Sequence, residues 1–368
     1  MLKSMSQPGD RAWEPGVIRS GDRPLGTVRL VGFPSDFETG VRVDELPLGC
    51  HSYRDAVARP MRYEGDARFG AIYDRHGRLV VDSERPTHTR DWTSNPRWLP
   101  RNKPSPVARL GGRSFFCGHY LPVFGHFLVE TLSRFWPDLD YGSFDHLVCY
   151  RGAAPPRQPE LRIRRSEREL LAAIGVSVEK IFVIDEQPVV FDEITVSSPP
   201  FWEKAIADRR FLDVHERIAN RFTGKRGQKL PSHLATRVYL SRSQLADRKR
   251  AALNEVAIEQ MMQAHGFAIV YPERVPINRQ VITARGAEVI AGCDGSALHL
   301  ASFARPGTKL LAIDGRAVPN QFIIDQARGL EAIHVLAASS VLDNRSKVWT
   351  ADLAQISAAL DLLDSDTV

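Results

Sequence analysis

Cysteine is scarce in this chain, and long apolar runs are missing. The four thiols, at positions 50, 117, 149 and 293, form no Cys-x-x-Cys pair, which argues against a zinc knuckle, a redox pair or a disulfide scaffold. No stretch approaches the ~20 apolar residues of a membrane span. The polar start of the chain also lacks the apolar core of a signal peptide. We therefore expect a cytoplasmic protein, or one bound peripherally at the inner face of a membrane.

An excess of charge of either sign is also missing. The 368 residues carry 49 Lys and Arg against 44 Asp and Glu, a net charge of +5. So slight an excess is compatible with a phosphate-bearing ligand, an anionic membrane or a nucleic acid, and it selects none of them. The sequence lacks the interleaved aromatic and basic residues of a nucleic-acid stacking platform, so no nucleic-acid partner is expected. With 43% hydrophobic residues, the composition is that of a folded globular chain.

The order of strand-like and helix-like segments divides the chain into four parts. Residues 1–24, rich in Gly, Pro and charge, predict a poorly ordered N-terminus. Residues 25–222 predict a mixed α/β domain, and the basic, breaker-rich residues 223–234 predict a linker. In residues 235–368 strands alternate with helices over short connections, which predicts a parallel sheet of Rossmann-like type with helices on both faces.

The first domain contains several elements that bear on function. A short strand is predicted over residues 27–33, a helix over 123–135 and a second helix over 205–222. Residues 85–106, rich in Pro, Arg and Trp, predict a long irregular connection between elements.

Arginines follow the first predicted strand of the second domain, where ligands of open parallel sheets bind. Arg242 leaves the strand, and Arg248 and Arg250 stand at the start of the next helix. Cations at a helix start oppose the helix dipole unless an anion lies among them. The arginines therefore indicate either a phosphate site or an exposed basic turn balanced by acidic neighbours, and from this feature alone the two are equal.

Two further features follow later strands of the same sheet. The turn Gly292-Cys-Asp-Gly-Ser296 would let a diphosphate approach its backbone amides, although it lacks the Walker pattern and such turns more often serve tight packing. Asp294 has the wrong sign for a phosphate neighbour and fits a helix cap. Glu273 follows the second strand, where it would accept hydrogen bonds from ribose hydroxyls or simply face solvent.

In the first domain, His126, Glu130 and Arg134 recur every four residues along the predicted helix. A histidine and a glutamate at that spacing can bring a general base and its orienting carboxylate into one cleft. The pattern favours the other interpretation, an ion pair between Glu130 and Arg134 with a capping histidine.

Together these segments resemble glycosyltransferase family 61, which includes bacterial capsule-type transferases and eukaryotic xylosyl- and N-acetylglucosaminyltransferases. The resemblance is strong from about residue 237 to 313 and thin in the first half. The segments that carry it are Gly125–Glu130, Tyr239–Arg242 with Arg250 and Asn254-Glu255, Gln280, and Ala287–Phe303 followed by Ala304-Arg-Pro-Gly307.

The resemblance implies an α/β fold of GT-B type, with two Rossmann-like domains facing a cleft. It implies inverting transfer of a hexose or pentose from a nucleotide sugar, expected to be UDP-linked, with no metal and no further cofactor. The partners would be that donor and a hydroxyl of a glycan or lipid-linked glycan, in polysaccharide biosynthesis such as that of a capsule.

The resemblance also assigns roles to residues. Arg242, with Arg248 and Arg250 behind it, would meet the diphosphate, Gly295 and Ser296 would form a backbone cradle, and Glu130 or His126 would be the base. Many family members have a histidine where this chain has Asp294, so either that donor contact is lost or His299 replaces it. The departure favours one alternative, a non-catalytic nucleotide- or sugar-binding protein that keeps the fold.

Overall fold

The protein is described here by a computed structural model covering residues 24–60, 62–64, 67–86, 108–121, 123–151, 161–185, 187–224, 235–245, 252–343 and 348–365. Most of the predicted N-terminal segment and linker lie outside these ranges. The strands are β1 (Thr27–Val31), β2 (Arg42–Val43), β3 (Cys50–Ala58), β4 (Arg62–Glu64), β5 (Ala67–Phe69), β6 (Ile72–Tyr73), β7 (Ala108–Tyr120), β8 (His146–Arg151), β9 (Ile181–Ile184), β10 (Val189–Ser197), β11 (Phe201–Trp202), β12 (Ile206–Ala207), β13 (Arg237–Leu240), β14 (Ala268–Val270), β15 (Val289–Cys293), β16 (Lys309–Asp314), β17 (Glu331–Leu336), β18 (Ala338–Asp343) and β19 (Val348–Ala351).

Helices of three kinds connect these strands. The α-helices are α1 (Phe124–His126), α2 (Arg165–Ala173), α3 (Asp213–Thr223), α4 (Glu255–Ala264), α5 (Ile277–Gly286), α6 (Pro319–Arg328) and α7 (Leu353–Ser365). The 3-10 turns are Val81–Ser83, Leu132–Phe135, Tyr141–Ser143, Val178–Lys180, Arg209–Leu212, Pro272–Arg274 and Leu298–Phe303, and one π-helical turn spans Phe127–Thr131. Within the described ranges, no helix combines the length and apolar character needed to cross a membrane.

The second half of the chain forms the parallel sheet that its alternating pattern predicts. The strand order is β14-β13-β15-β16-β17-β1, and every neighbouring pair is parallel. Helices α4, α5 and α6 lie between successive strands of this sheet along the chain. The order reverses between β13 and β15, and a reversal of this kind opens a crevice at the carboxyl ends of the two strands.

The sixth strand of this sheet comes from the other end of the chain. β1, which the sequence analysis places in residues 25–222, pairs with β17 from Thr27 beside Glu331 to Val31 beside Val335. Val28 and Leu30 pack against the apolar core, so this pairing covers the edge of β17 and buries apolar side chains at once. Strand pairing over such a separation leaves no local sequence signal.

The first half of the chain builds a mixed sheet in the order β6-β3-β10-β7-β8-β9. The strands β10, β7, β8 and β9 are parallel, whereas β3 runs antiparallel to β10. One apolar cluster extends from this half, with Phe115 and Phe127, to the second half, with Leu240, Phe303 and Phe322. The mixed α/β class with a parallel sheet is confirmed, and the division into two domains facing a cleft stays a prediction.

The helix predicted over residues 205–222 is shorter than expected. Residues 206–207 form strand β12, a 3-10 turn follows at Arg209–Leu212, and α3 begins only at Asp213. The prediction was wrong at its start because Asp208 caps the turn: its carboxylate accepts hydrogen bonds from the amides of Arg210 at 2.9 Å and Leu46 at 2.8 Å. The helical segment predicted over residues 123–135 is confirmed.

Candidate functional site

A cavity of about 180 Å³ lies where the first half of the chain meets the carboxyl ends of β15 and β16. Three segments enclose it: the start of the helical segment 124–135, the turn between β11 and β12, and the loops that follow β15 and β16. Gly125 marks the closest approach, because a Cβ atom there would lie 2.9 Å from Cδ2 of His299 and 3.0 Å from Oγ of Ser296. Only a residue without a side chain lets the two halves meet at this point.

Arg242 and the glycine turn come together at the strand reversal. Nη1 of Arg242 donates to the carbonyl of Asp294 at 2.7 Å, and Gly295 adopts a φ of +149° with its missing Cβ position 2.6 Å from that same nitrogen. The guanidinium therefore covers the turn directly, and glycine is required for this approach. Arg242 lies against the turn, while Gly295 and Ser296 line the cavity itself.

Two glutamates of α4 hold the loop that carries Arg242. Oε1 of Glu255 accepts from the Arg242 amide at 2.8 Å. Oε1 of Glu259 accepts from the hydroxyls of Ser241 at 2.5 Å and Ser243 at 2.6 Å. These bonds fix the direction in which the chain leaves β13, so the position of Arg242 is set by its backbone as well as by its side chain.

His126 and Glu130 form the pair that the sequence spacing allows. Nδ1 of His126 lies 2.5 Å from Oε1 of Glu130, and the histidine lines the cavity. The guanidinium of Arg85 grips the same carboxylate with two bonds, from Nε at 2.5 Å and from Nη2 at 2.9 Å. Glu130 sits in the π-helical turn, an irregularity that is frequent at functional sites.

The surroundings keep Glu130 ionised. Burial acts to raise its pKa, but the charge of Arg85 and hydrogen bonds from His126 and Arg85 outweigh it and lower the pKa to about 2. A carboxylate can only accept hydrogen bonds, so Nδ1 of His126 is the donor, and in the neutral ring Nε2 is the nitrogen that can take up a proton. The alternative pair with Arg134 is not formed, since Arg134 donates to the carbonyls of Ser197 and Glu84.

A second histidine of the cavity, His299, begins a buried chain of hydrogen bonds. Its Nδ1 lies 2.8 Å from Oε1 of Gln321, whose Nε2 donates to Asp325 at 2.7 Å. Asp325 is in turn 2.7 Å from His334, and the other nitrogen of His334 is 2.7 Å from Asp314. His299 is 7% exposed and the other members are no more than 2% exposed, so bulk solvent does not reach the interior of this hydrogen-bond chain.

The pKa values of the two histidines in this hydrogen-bond chain, His299 and His334, are shifted in opposite directions. Burial lowers the pKa of His299 to about 4, against the effect of the Gln321 hydrogen bond and with that of the His126 charge. For His334 burial also acts to lower the pKa, but the charges and hydrogen bonds of Asp314 and Asp325 raise it to about 9. At neutral pH His299 is therefore neutral and His334 is an imidazolium.

Other residues named from the sequence are not gathered at the cavity. Glu273 is exposed at the end of the edge strand β14 and does not line it. Arg248 and Arg250 lie outside the described residues, so their expected phosphate contacts remain predictions.

Sequence reasoning missed several residues of the site. Arg85 comes from the start of the predicted irregular connection, and it also bonds Glu203 at 3.0 Å. Lys204 lines the cavity with a φ of +59°, and its amide donates to Oδ1 of Asn320 at 2.8 Å. Strained backbone of this kind tends to occur at functional sites. The one available signal was the density of arginines after residue 84, which indicated no particular partner.

A parallel α/β sheet with an arginine over a glycine turn, and a histidine backed by a carboxylate at the same cavity, is an arrangement suited to a group-transfer enzyme. The family model described as Glycosyltransferase 61 matches residues 124–311, just over half of the chain. The protein therefore belongs to glycosyltransferase family 61 and is a glycosyltransferase, as the resemblance implies. The match covers His126, Arg242 and His299. Comparison with curated proteins gives no match.

Proposed function

We propose that the protein moves a hexose or pentose from a UDP-linked donor to a hydroxyl of a glycan or glycolipid, with inversion and without a metal ion, in polysaccharide biosynthesis. The reaction would take place in the cavity between His126 and the Gly295 turn. The donor would lie against the carboxyl ends of β13 and β15, and the acceptor hydroxyl would approach from the side of the helical segment 124–135.

His126 is the better base of the two residues considered. Its ring lines the cavity, and the ionised Glu130 behind Nδ1 would stabilise the imidazolium that forms when Nε2 takes a proton. Glu130 itself has a pKa of about 2 and is already bonded by Arg85 and His126, so it has little basicity at neutral pH. Its proposed role is to orient the imidazole and favour its charged form.

The donor side carries groups suited to a departing diphosphate. The amides of Gly295 and Ser296 donate to no atom of the described part of the chain, and Arg242 supplies a positive charge to the turn they form. Lys204 and Arg316 also line the cavity, paired with Glu203 at 3.3 Å and Asp294 at 3.8 Å. Charge of this kind stabilises the leaving group as it develops in the transition state.

The size of the cavity indicates which part of the donor it would hold. Its 180 Å³ is smaller than the about 300–1,000 Å³ of pockets that enclose drug-sized ligands. Such a volume would enclose only part of a nucleotide sugar, and we assign it to the sugar and its neighbouring phosphate, with the nucleoside outside. This division supports a donor that reaches the site with its sugar first.

The cluster formed by His126, Glu130 and Glu203 is poorly placed to hold a metal ion. Atoms of His126, Glu130 and Glu203 lie within 4.8 Å of one another, a spacing that could suit a cation. The guanidinium of Arg85 already bonds both carboxylates, at 2.9 and 3.0 Å. A permanent cation between the two acids offsets half of their charge and occupies their oxygens, which supports metal-independent transfer.

The observation that carries the proposal is the 2.5 Å contact of His126 with Glu130 at a cavity that the Gly295 turn also lines. It is tested by incubating the protein with UDP-glucose, UDP-galactose, UDP-xylose and UDP-N-acetylglucosamine. We expect one of them to raise the melting temperature of the protein. We also expect that donor to release UDP, slowly when water accepts the sugar and faster when a glycan hydroxyl accepts it. Binding without release in every case would favour the alternative, a non-catalytic binding protein suggested by Asp294.

A further inference from the structure

The buried hydrogen-bond chain behind His299 has a direction that the chemistry of its members imposes. His334 lies between two aspartates at 2.7 Å on each ring nitrogen. An imidazolium donates from both nitrogens. Asp325 accepts from His334 with one oxygen, and its other oxygen accepts from Nε2 of Gln321 at 2.7 Å.

The order of donors and acceptors continues through the side-chain amide of Gln321 to His299 at the cavity. Because its amide nitrogen donates to Asp325, its carbonyl oxygen faces His299. A carbonyl oxygen only accepts, so Nδ1 of His299 carries the proton and Nε2 carries the lone pair. Nε2 is on the edge of the ring beside Gly125, at the wall of the cavity.

This arrangement changes the role expected of His299. A neutral ring with a lone pair at Nε2 repels phosphate oxygens, which are acceptors themselves, and it attracts O–H groups. His126 differs because a carboxylate stands behind its Nδ1, whereas a neutral amide stands behind that of His299. The first partner favours taking up a proton, and the second favours accepting a hydrogen bond without taking up the proton.

We propose that Gln321 is a positioning residue that holds His299 as a neutral hydrogen-bond acceptor. We propose further that His299 accepts a hydrogen bond from a hydroxyl group of the sugar in the cavity. The hydroxyl role rests on the proposed function, whereas the positioning role does not. The titratable and charged groups that share the cavity with His299 are His126, Glu203, Lys204, Asp294 and Arg316. Behind it lie Asp325, His334 and Asp314.

The positioning role is tested without substrate, by proton–nitrogen correlation spectra of protein labelled in its histidines. The signals of His299 are assigned with His299→Asn. We expect the tautomer protonated at Nδ1 in the wild type, with no charging down to about pH 4. Gln321→Glu places a carboxylate behind the ring and should raise the pH at which His299 charges by at least about one unit. Gln326→Glu, on the same helix, should leave it unchanged.

A wild-type ring protonated at Nε2, or charged at neutral pH, would overturn the positioning role whether or not the Gln321 variant folds. The hydroxyl role is tested with the UDP-sugars above and their monodeoxy analogues. With the wild type, one deoxy position should lower kcat/KM at least tenfold. With His299→Ala, that analogue and its parent should differ less than twofold.

Equal losses for the wild type and His299→Ala would overturn the hydroxyl role. If no UDP-sugar is turned over, the proposed function and the hydroxyl role both fail, and the spectra still decide the role of Gln321. The two failures are therefore distinguishable.

Discussion

Replacing Glu130 with glutamine removes the buried charge that His126 and Arg85 share at the candidate site. The pKa of Glu130 is about 2 in the folded protein and 4.5 in an unfolded chain, a difference worth roughly 3 kcal/mol at 1.36 kcal/mol per unit. A lowered pKa contributes stability above the unfolded value, and that stability is lost as the pH falls through the folded value. The contribution is therefore complete above pH 4.5 and disappears towards pH 2.

Glu130→Gln should lower the free energy of unfolding by roughly 3 kcal/mol at neutral pH, and by progressively less as the pH falls below 4.5. Urea titrations of both proteins across this range measure the difference. Glu169→Gln is the matched control, because Glu169 pairs with Arg165 at the surface and such pairs contribute at most about 1 kcal/mol. A loss for Glu130→Gln that is equal at neutral and acidic pH would refute the reasoning.

Three further changes test the donor side and the interior. Arg242→Ala should weaken UDP binding by roughly 1.5 to 3 kcal/mol in calorimetry, the scale of a charge-assisted hydrogen bond. Arg279→Ala, at an exposed position, should leave UDP binding unchanged. An unchanged affinity of Arg242→Ala for UDP would remove Arg242 from the diphosphate site. Gly295→Ala should weaken UDP binding to a similar extent, because the Cβ of the alanine would lie 2.6 Å from Nη1 of Arg242. Gly307→Ala should leave UDP binding unchanged, because no atom lies within 4 Å of the Cβ position at residue 307. Equal affinities of the two variants for UDP would count against the close approach of Arg242 to the turn. The raised pKa of His334 contributes stability that is complete below pH 6.5 and lost as the pH rises through about 9. Urea titrations should therefore show a fall in the free energy of unfolding at alkaline pH in the wild type and not in His334→Asn. A free energy of unfolding that stays constant in the wild type over that pH interval would contradict a charged His334.

The sequence predicts the second half of the fold well because its signals are local. Apolar runs between β13 and β17 alternate with helices that end in glycine, as α4 does before Gly266 and α6 does before Gly329. The placement of β1 beside β17 could not be predicted, because it depends on an edge left open by strands hundreds of residues away. The start of α3 was misplaced because the cap formed by Asp208 acts on Leu46 as well as on its neighbours.

The site shows the same division between local and distant signals. The spacing of His126 and Glu130 indicates that the two side chains meet, and the glycine turn indicates an approach that Arg242 completes. Arg85 decides between the two interpretations of Glu130, yet it lies 45 positions away in a segment without pattern. Gln321 also carries no sequence signal, because the role of a buried glutamine in a helix can be inferred only once its hydrogen-bond partners, here His299 and Asp325, are known.

The most direct test of the central claim compares turnover and binding in His126→Gln. The rate of UDP release from the donor that the wild type uses is measured together with the dissociation constant of UDP. The account predicts a fall in kcat of about 10²- to 10⁴-fold, the range of general base catalysis, with the affinity for UDP unchanged. A variant that turns over at the wild-type rate would contradict the assignment of His126 as the base of this glycosyltransferase.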